Sequence, residues 1–516
     1  MATDAPICEA QWMEQMRALV LRGDWASAEG CATAALGQFP DSQELRRAMA
    51  GIFLQTQRQP QAEMLLRQLL GQVPADVAAA FTLARLLIGD GRNHAAALIL
   101  RECFAQGVHD AEQAIAAIEM LDDCARKADA ATIADAAIAA HPNDARLHAY
   151  AGMLEIQLGQ FERARAHYLF ALQHSDQACE WNIPLGLSSA QRYVDDRHPD
   201  FAIFRDCLAR SDSSDKARST LLFAIAKAHD DIGDYASAAM YLRDANALAH
   251  AATTWSRKQW RRAQQARLSA KPFTHTLAPS SGFVPIFIVG LPRSGTTLTA
   301  SLLARHPQVC NRGELTWLAR LARMPELTGD PDRAVLERIA AIYAAQARQD
   351  DSDARWFIDK QPLNFRYVGL ILALWPHARI IHCQRSPRDT ALSLWMQSFL
   401  EDVQGFAYSF DDIAVVMRDE QRLMAHWRKG HRDSIRCVTY EQLVSEPQRV
   451  IAELSGWLQL PAPEEDSAGK ESTTTISTAS LWQARQPIYT RSIGRWRNYA
   501  AHVAELMEFS DSVADI

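Results

Sequence analysis

No stretch of this 516-residue chain offers the roughly 20 consecutive apolar residues of a membrane-spanning helix, so the sequence predicts no membrane partner. The start, Met1-Ala2-Thr3-Asp4-Ala5-Pro6, has neither a basic n-region nor an apolar run and reads without a secretory signal. Cysteine is sparse. There are nine, an odd number, and no two form a C-x-x-C pair. This excludes the common zinc and dithiol motifs and predicts reduced, mostly buried thiols in a cytoplasmic protein. A basic excess is missing too: 54 Lys and Arg against 61 Asp and Glu give a net charge of −7. That balance argues against nucleic acid as the main partner. No H-x-H pair or carboxylate cluster has ligand spacing, so no metal is expected. What is present is an ordinary globular composition, 48% hydrophobic and 22% charged, in a length that suits two to four domains.

The first half repeats itself. Ala28, Ala62, Ala96, Ala130 and Ala164 each stand 34 residues after the last. Pro40, Pro74 and Pro142 share one register, with Val108 in its empty slot, and Gly23, Gly91 and Gly159 share another. Thirty-four residues is the tetratricopeptide period, two antiparallel helices with a small residue at their crossing. Gly23-Asp24-Trp25, Gly159-Gln160-Phe161 and Gly233-Asp234-Tyr235 open the same phrase. The pattern predicts five contiguous units over about residues 9 to 178 and a sixth near 219–252. Between them lies an irregular insert with Pro184, Gly186 and Pro199. Such an array is either a concave scaffold for a peptide or partner, or a module for stability and self-association, a homodimer included. No aromatic or basic stripe chooses between them. Arg257, Lys258, Arg261, Arg262 and Arg267 mark a basic helical segment, read as a solvated face. Lys271 to Gly282 is rich in Pro, Ser and Gly and reads as a linker.

From Val284 the pattern becomes strand alternating with helix. Strands are expected at Ile286–Val289, Trp356–Ile358, Ala378–Cys383 and Ser434–Tyr440. This argues an α/β domain with a parallel sheet, whose ligands collect beyond the carboxyl ends of the strands. The expected layout is a helical repeat domain over 1–270, a linker over 271–283 and the α/β domain over 284–516.

The first strand leads into Gly290-Leu291-Pro292-Arg293-Ser294-Gly295, and Thr296-Thr297 open an apolar-periodic helix that stops before His306-Pro307. Strand, glycine loop and helix N-terminus make a phosphate cradle. Thr296 stands where a nucleoside-triphosphatase loop has its lysine, and the cation sits inside the loop at Arg293. That suits a ligand with fewer phosphates, held by an arginine fork and hydroxyls.

The PRSGTT phrase after a strand resembles the 5′-phosphosulfate loop of sulfotransferases. The nearest likeness is to tyrosylprotein sulfotransferases and to bacterial sulfotransferases with tetratricopeptide repeats. The resemblance implies 3′-phosphoadenosine 5′-phosphosulfate (PAPS) as donor, held by Arg293, Ser294, Gly295, Thr296 and Thr297. In Gln384-Arg385-Ser386-Pro387-Arg388-Asp389, continued to Ser393, it implies Arg385 and Ser393 on the 3′-phosphate. Arg388 and Asp389 read as a structural ion pair. In Arg312-Gly313-Glu314-Leu315 it implies Glu314 as the base that takes the acceptor proton. His306, the rival base, reads as a helix stop. In Asp359-Lys360-Gln361-Pro362-Leu363-Asn364 it implies Lys360 as a stabiliser of charge on the departing phosphate side, with Arg293 assisting. Asn364 reads as bonding to backbone. In Thr490-Arg491-Ser492-Ile493-Gly494-Arg495-Trp496 it implies Arg491 near the 3′-phosphate, and it sets Tyr440 near the adenosine, with Glu441 capping the following helix.

The implied activity is in-line sulfuryl transfer to a hydroxyl, with a tyrosine of a polypeptide favoured and a glycan, lipid or small metabolite open. A kinase-like phosphotransferase is the second reading weighed. Thr296 in place of lysine, and no Walker-B aspartate after a strand, count against it. A non-catalytic scaffold is the third reading. The intact set Arg293, Glu314, Lys360, Arg385 and Ser393 speaks against it.

Overall fold

The computed structural model of the chain describes residues 7–106, 110–210, 213–279, 282–327, 329–399, 402–461 and 490–510. Two compact units divide it, Met1–Pro142 and Asn143–Ile516.

The first unit is four helical hairpins: Glu9–Leu21 with Trp25–Gln38, Gln43–Gln55 with Gln59–Gln72, Val77–Gly89 with Asn93–Ala105, and Ala111–Asp123 with Lys127–Ala140. The register alanines Ala28, Ala62, Ala96 and Ala130 are all fully buried where helices cross, because any larger side chain would hold the backbones apart. Each hairpin turns through one residue with positive φ. Gly23 (+72°), Gln57 (+60°), Gly91 (+76°) and Ala125 (+60°) occupy equivalent places one period apart. The glycine register thus marks a left-handed slot, which Gln57 and Ala125 fill under strain. Ion pairs run between neighbouring hairpins in the same period: Arg58 to Glu29 and Arg92 to Glu63.

The second unit begins with the fifth hairpin, Ala145–Leu158 with Phe161–His174, and includes the sixth, Asp215–Asp231 with Tyr235–Ala252. In the insert between them Cys179 and Cys207 form a disulfide. This corrects the expectation of thiols reduced throughout: the 3-10 turn Asp176–Glu180 and helix Pro199–Ala209 bring the two Cα atoms to 5.9 Å although 28 residues separate them. Among the described residues no helix is long and apolar enough to cross a membrane.

Among the described residues five strands follow: β1 (Val284–Gly290), β2 (Val309–Asn311), β3 (Trp356–Asp359), β4 (Arg379–Gln384) and β5 (Ile435–Thr439). They form one sheet in the order β2-β3-β1-β4-β5, parallel in every pair. Residues of β1 alternate between two apolar cores. Phe287 and Val289 enter one with Phe357 and Ile380, and Ile286 and Ile288 enter the other with Ile358, Ile381 and Val438. Burial on both faces is why these strands are near-continuous apolar runs.

The first of these cores also contains Leu222, Phe223 and Leu242 from the sixth hairpin. Asn246 Nδ2 donates to the Trp395 carbonyl at 2.9 Å. Helix Arg257–Ser269 presents the solvated face expected of it, with Arg257, Lys258, Arg261 and Arg262 exposed, and packs its other side on helix Phe410–Gly430. Arg257 pairs with Asp412, and buried Trp260 donates its indole N–H to Asp419 at 3.1 Å. Trp260 and Gln264 are the buried residues of this helix, too few to show an apolar period among five cations.

Candidate active site

All five strands deliver a candidate residue just past their carboxyl ends. The loop Arg293 to Thr297 follows β1, Glu314 follows β2, Lys360 follows β3, Arg385 follows β4 and Tyr440 follows β5. Given the strand order, the sequence across the sheet edge is Glu314, Lys360, the loop, Arg385, Tyr440.

The loop closes on helix Thr296–Leu303, whose N-terminus presents backbone N–H groups that a helix leaves unpaired. Ser294 Oγ donates to the Leu291 carbonyl at 2.7 Å and shapes the turn. Gly295 has φ +96°, and a Cβ there would lie 2.8 Å from Tyr440 Cδ2. The ring of Tyr440 therefore needs a glycine beneath it. Arg293 also has positive φ, +74°, a conformation that costs an arginine on the order of 1–3 kcal/mol. So held, its Nε donates to Ser393 Oγ at 2.9 Å, across 100 residues of sequence.

Arg385 is buried beside this pair. Its Nη1 donates to the Arg293 carbonyl at 3.2 Å and its Nη2 to the Ser492 carbonyl at 2.7 Å, while its guanidinium lies 4.6 Å from the Tyr440 ring centroid. Its Nε is buried without a hydrogen-bond partner, as are Ser386 Oγ and Thr390 Oγ1. Arg491, expected in this place, is exposed, and it is the carbonyl of the next residue that meets Arg385. Asp389, read in the sequence as half of an ion pair with Arg388, serves Arg385 and the C-terminal segment. Its carboxylate lies 4.0 Å from Arg385 Nη2 and accepts the N–H groups of Gly494 (2.7 Å) and Trp496 (3.0 Å), fastening the C-terminal segment over the arginine. Arg388 donates to the Phe509 carbonyl and lies over the Trp496 ring. Glu441 accepts the N–H of Ser386, at the start of the neighbouring helix Pro387–Trp395, at 2.9 Å.

On the other side of the loop, Lys360 Nζ and Glu314 Oε1 form an ion pair, Lys360 nearly buried and Glu314 partly open. Their backbones are joined as well: Lys360 N–H donates to the Gly313 carbonyl at 2.7 Å and Arg312 N–H to that of Ile358 at 2.9 Å. Behind them stands Asp359, whose role the sequence does not reveal. Only 2% exposed, it accepts from Tyr343 Oη (2.7 Å), Asn364 Nδ2 (3.0 Å) and the N–H groups of Gln361 (3.1 Å) and Leu315. Burial pushes its carboxyl up to about 7, against the pull of these hydrogen bonds. Asn364, expected to bond to backbone through its side chain, serves this carboxylate instead. His306 bonds through Nε2 to the Pro461 carbonyl at 2.8 Å, the anchoring role expected of a helix stop.

The arrangement can grip an anion at the loop, a second anion at Arg385, and move a proton at Glu314. Residues 285–464 match the family model described as Sulfotransferase family. An uncharacterised protein of Aquifex aeolicus is 33% identical over 241 residues, 43% of this chain and 32% of that one. Protein-tyrosine sulfotransferase 1 of Danio rerio is 25% identical over 232 residues, 41% of this chain and 65% of that one. The chain thus spans less than two thirds of the length of either relative. Sulfotransferase STF9 of Mycobacterium avium, a solved structure, is 16% identical with a TM-score of 0.29, over 60% of this chain and 94% of that one. Residues 285–464 form a domain of the Sulfotransferase family, in a chain whose N-terminal part is built of tetratricopeptide-type helical hairpins.

Proposed function

We propose that the chain transfers a sulfuryl group from PAPS to a hydroxyl acceptor, with Glu314 as base. The observation that carries this reading is the order of residues along the sheet edge: base and lysine to one side of the anion loop, Arg385 and Tyr440 to the other. The buried, unpartnered Nε of Arg385 and the glycine cradle under Tyr440 fit a nucleotide carrying a 3′-phosphate. PAPS supplies an activated sulfuryl group. Arg293, Ser294, Gly295, Thr296 and Thr297 hold its 5′ end, Arg385 and Ser393 its 3′-phosphate, Tyr440 its adenosine, and Arg491 the rim.

Glu314 accepts the acceptor proton at Oε1. Lys360 Nζ holds that carboxylate in place beforehand, and as the carboxylate takes the proton its hold on the ammonium weakens. Nζ is then left to meet charge growing on the phosphate side. No step beyond positioning and charge stabilisation is asked of the chain. The acceptor we favour is a tyrosine of a polypeptide, bound with help from the repeats. The relative from Danio rerio named for that activity supports it.

The test is calorimetric titration with 3′,5′-adenosine bisphosphate beside ATP. Tight binding of the bisphosphate, lost in Arg385→Ala, with no signal from ATP, is expected. Binding of ATP alone would overturn the reading in favour of a phosphotransferase. Sulfation of tyrosine peptides by the wild type, and none by Glu314→Gln, then assigns acceptor and base.

A further inference from the structure

A second set of ionisable side chains lies between β4, β5 and helix Phe410–Gly430, and the proposed mechanism uses none of it. His382 on β4 stands opposite Cys437 on β5 in the sheet register. Its Nε2 bonds to Glu420 Oε1, and its Nδ1 is 3.8 Å from Cys437 Sγ. Arg428 Nη1, from the same helix as Glu420, donates to that sulfur at 3.2 Å. His382 and Glu420 are 1% and 4% exposed, whereas Cys437 is only partly covered. A buried acid thus orients an imidazole, the imidazole faces a thiol that solvent reaches, and a guanidinium covers the thiol from the other side. This is the logic of an activated nucleophile.

The electrostatics agree. Burial disfavours the charged imidazole, but Glu420 and Cys437 outweigh it and raise His382 to about 9. Burial likewise opposes the thiolate, yet His382 and Arg428 bring Cys437 below the ordinary thiol value. The charged groups facing the sulfur are therefore His382 from β4 and Arg428 from the helix, with Glu420 acting through His382. Cys383, the next residue of β4, is pushed up to about 12 by burial and stays protonated.

We propose that Cys437 is a modification site, a nucleophilic thiolate that takes soft electrophiles, hydroperoxides among them. In that step Cys437 Sγ attacks the terminal peroxide oxygen. The S–O bond forms as the O–O bond breaks, sulfur gives up two electrons and becomes a sulfenic acid, and His382 gives its proton to the departing alkoxide. His382 also lines a pocket with Ser294, Arg385 and Thr390, so modification would be felt at the anion loop. The site stands whether or not the chain transfers sulfuryl groups.

The test is timed labelling of the full chain with iodoacetamide at pH 7, read by peptide mass spectrometry, with exposed Cys8 as internal reference. Cys437 should label about tenfold faster than Cys8 despite being less exposed. His382→Gln should slow it by about tenfold and Arg428→Gln by about threefold. The second variant changes a helix-surface residue and keeps the test valid if the first fails to fold. Hydrogen peroxide followed by dimedone should place an adduct on Cys437. Labelling of Cys437 no faster than Cys8, or a rate unchanged in Arg428→Gln, overturns the proposal.

Discussion

Asp359 bonds to the N–H groups of Leu315 and Gln361, the residues that follow Glu314 and Lys360. One carboxylate thus ties together the two backbone turns that present the ion pair. Its folded value near 7 lies above the ordinary 3.8, so the fold binds this proton more tightly than the unfolded chain does. The resulting stability is present below about pH 4 and is lost as pH rises through 7, a change of at most about 4 kcal/mol. Denaturant melts of wild type and Asp359→Asn between pH 4 and 8 should show the wild type losing stability across this window and the variant staying flatter. Parallel curves would refute the assignment. At the neighbouring pair, Lys360→Ala should cut turnover by about 10²–10⁴-fold while leaving affinity for 3′,5′-adenosine bisphosphate within about twofold. A matching loss of affinity would make Lys360 a binding residue. Glu314 and Lys360 could be found in the sequence because each stands in a recognisable phrase, Lys360 just after a legible strand and Glu314 shortly beyond the loop helix. Asp359 could not, because what gives it a role is Tyr343, sixteen residues upstream on another element.

Elements show the same division between local and distant causes. The four longer strands were legible as apolar runs between turn residues. β2 was not, since three residues are too few to display a period. The repeats were legible through small residues, whose burial is imposed wherever helices cross. The left-handed slot explains why glycine recurs, and it yields a prediction. Ala125→Gly should raise stability by about 0.5–1 kcal/mol, because relief from strain exceeds the added chain entropy. Urea melts would show a higher midpoint with an unchanged slope, and a lower midpoint would count against the strain. At the anion loop the reverse holds. Gly295→Ala combines the wrong φ with the Tyr440 contact and should cost on the order of 1–3 kcal/mol together with nucleotide binding. Tyr440→Ala in the same chain should restore little, because the dihedral remains.

The whole molecule places a seam where the sequence does not. Composition shifts at the linker 271–283, yet the compact unit begins at Asn143, and the sixth hairpin shares a core with the sheet domain. Asp230 on that hairpin accepts from Tyr499 Oη at 2.7 Å and pairs with Arg495, and Arg243 pairs with Glu505 at 2.7 Å. These contacts hold the segment whose Ser492 carbonyl caps Arg385. A fragment of residues 143–516 should unfold in one transition and bind the bisphosphate as the full chain does. One starting at residue 284 should aggregate, having lost the apolar partners of its core. A soluble, binding-competent 284–516 fragment would show that the hairpin is an accessory. Contacts between residues more than 250 apart leave no trace in local pattern, which is why the linker looked like a boundary.

In the first unit Glu29 and Glu63 stand one period apart, as do Arg58 and Arg92. Excise residues 30–63 and Glu29 comes to stand where Glu63 stood, facing Arg92. Copy one period in and every acid again meets an arginine. Across these two joints a whole repeat can therefore be lost or gained without leaving either charge facing the wrong partner. The fifth and sixth hairpins, built into the unit that holds the sheet, have no such freedom.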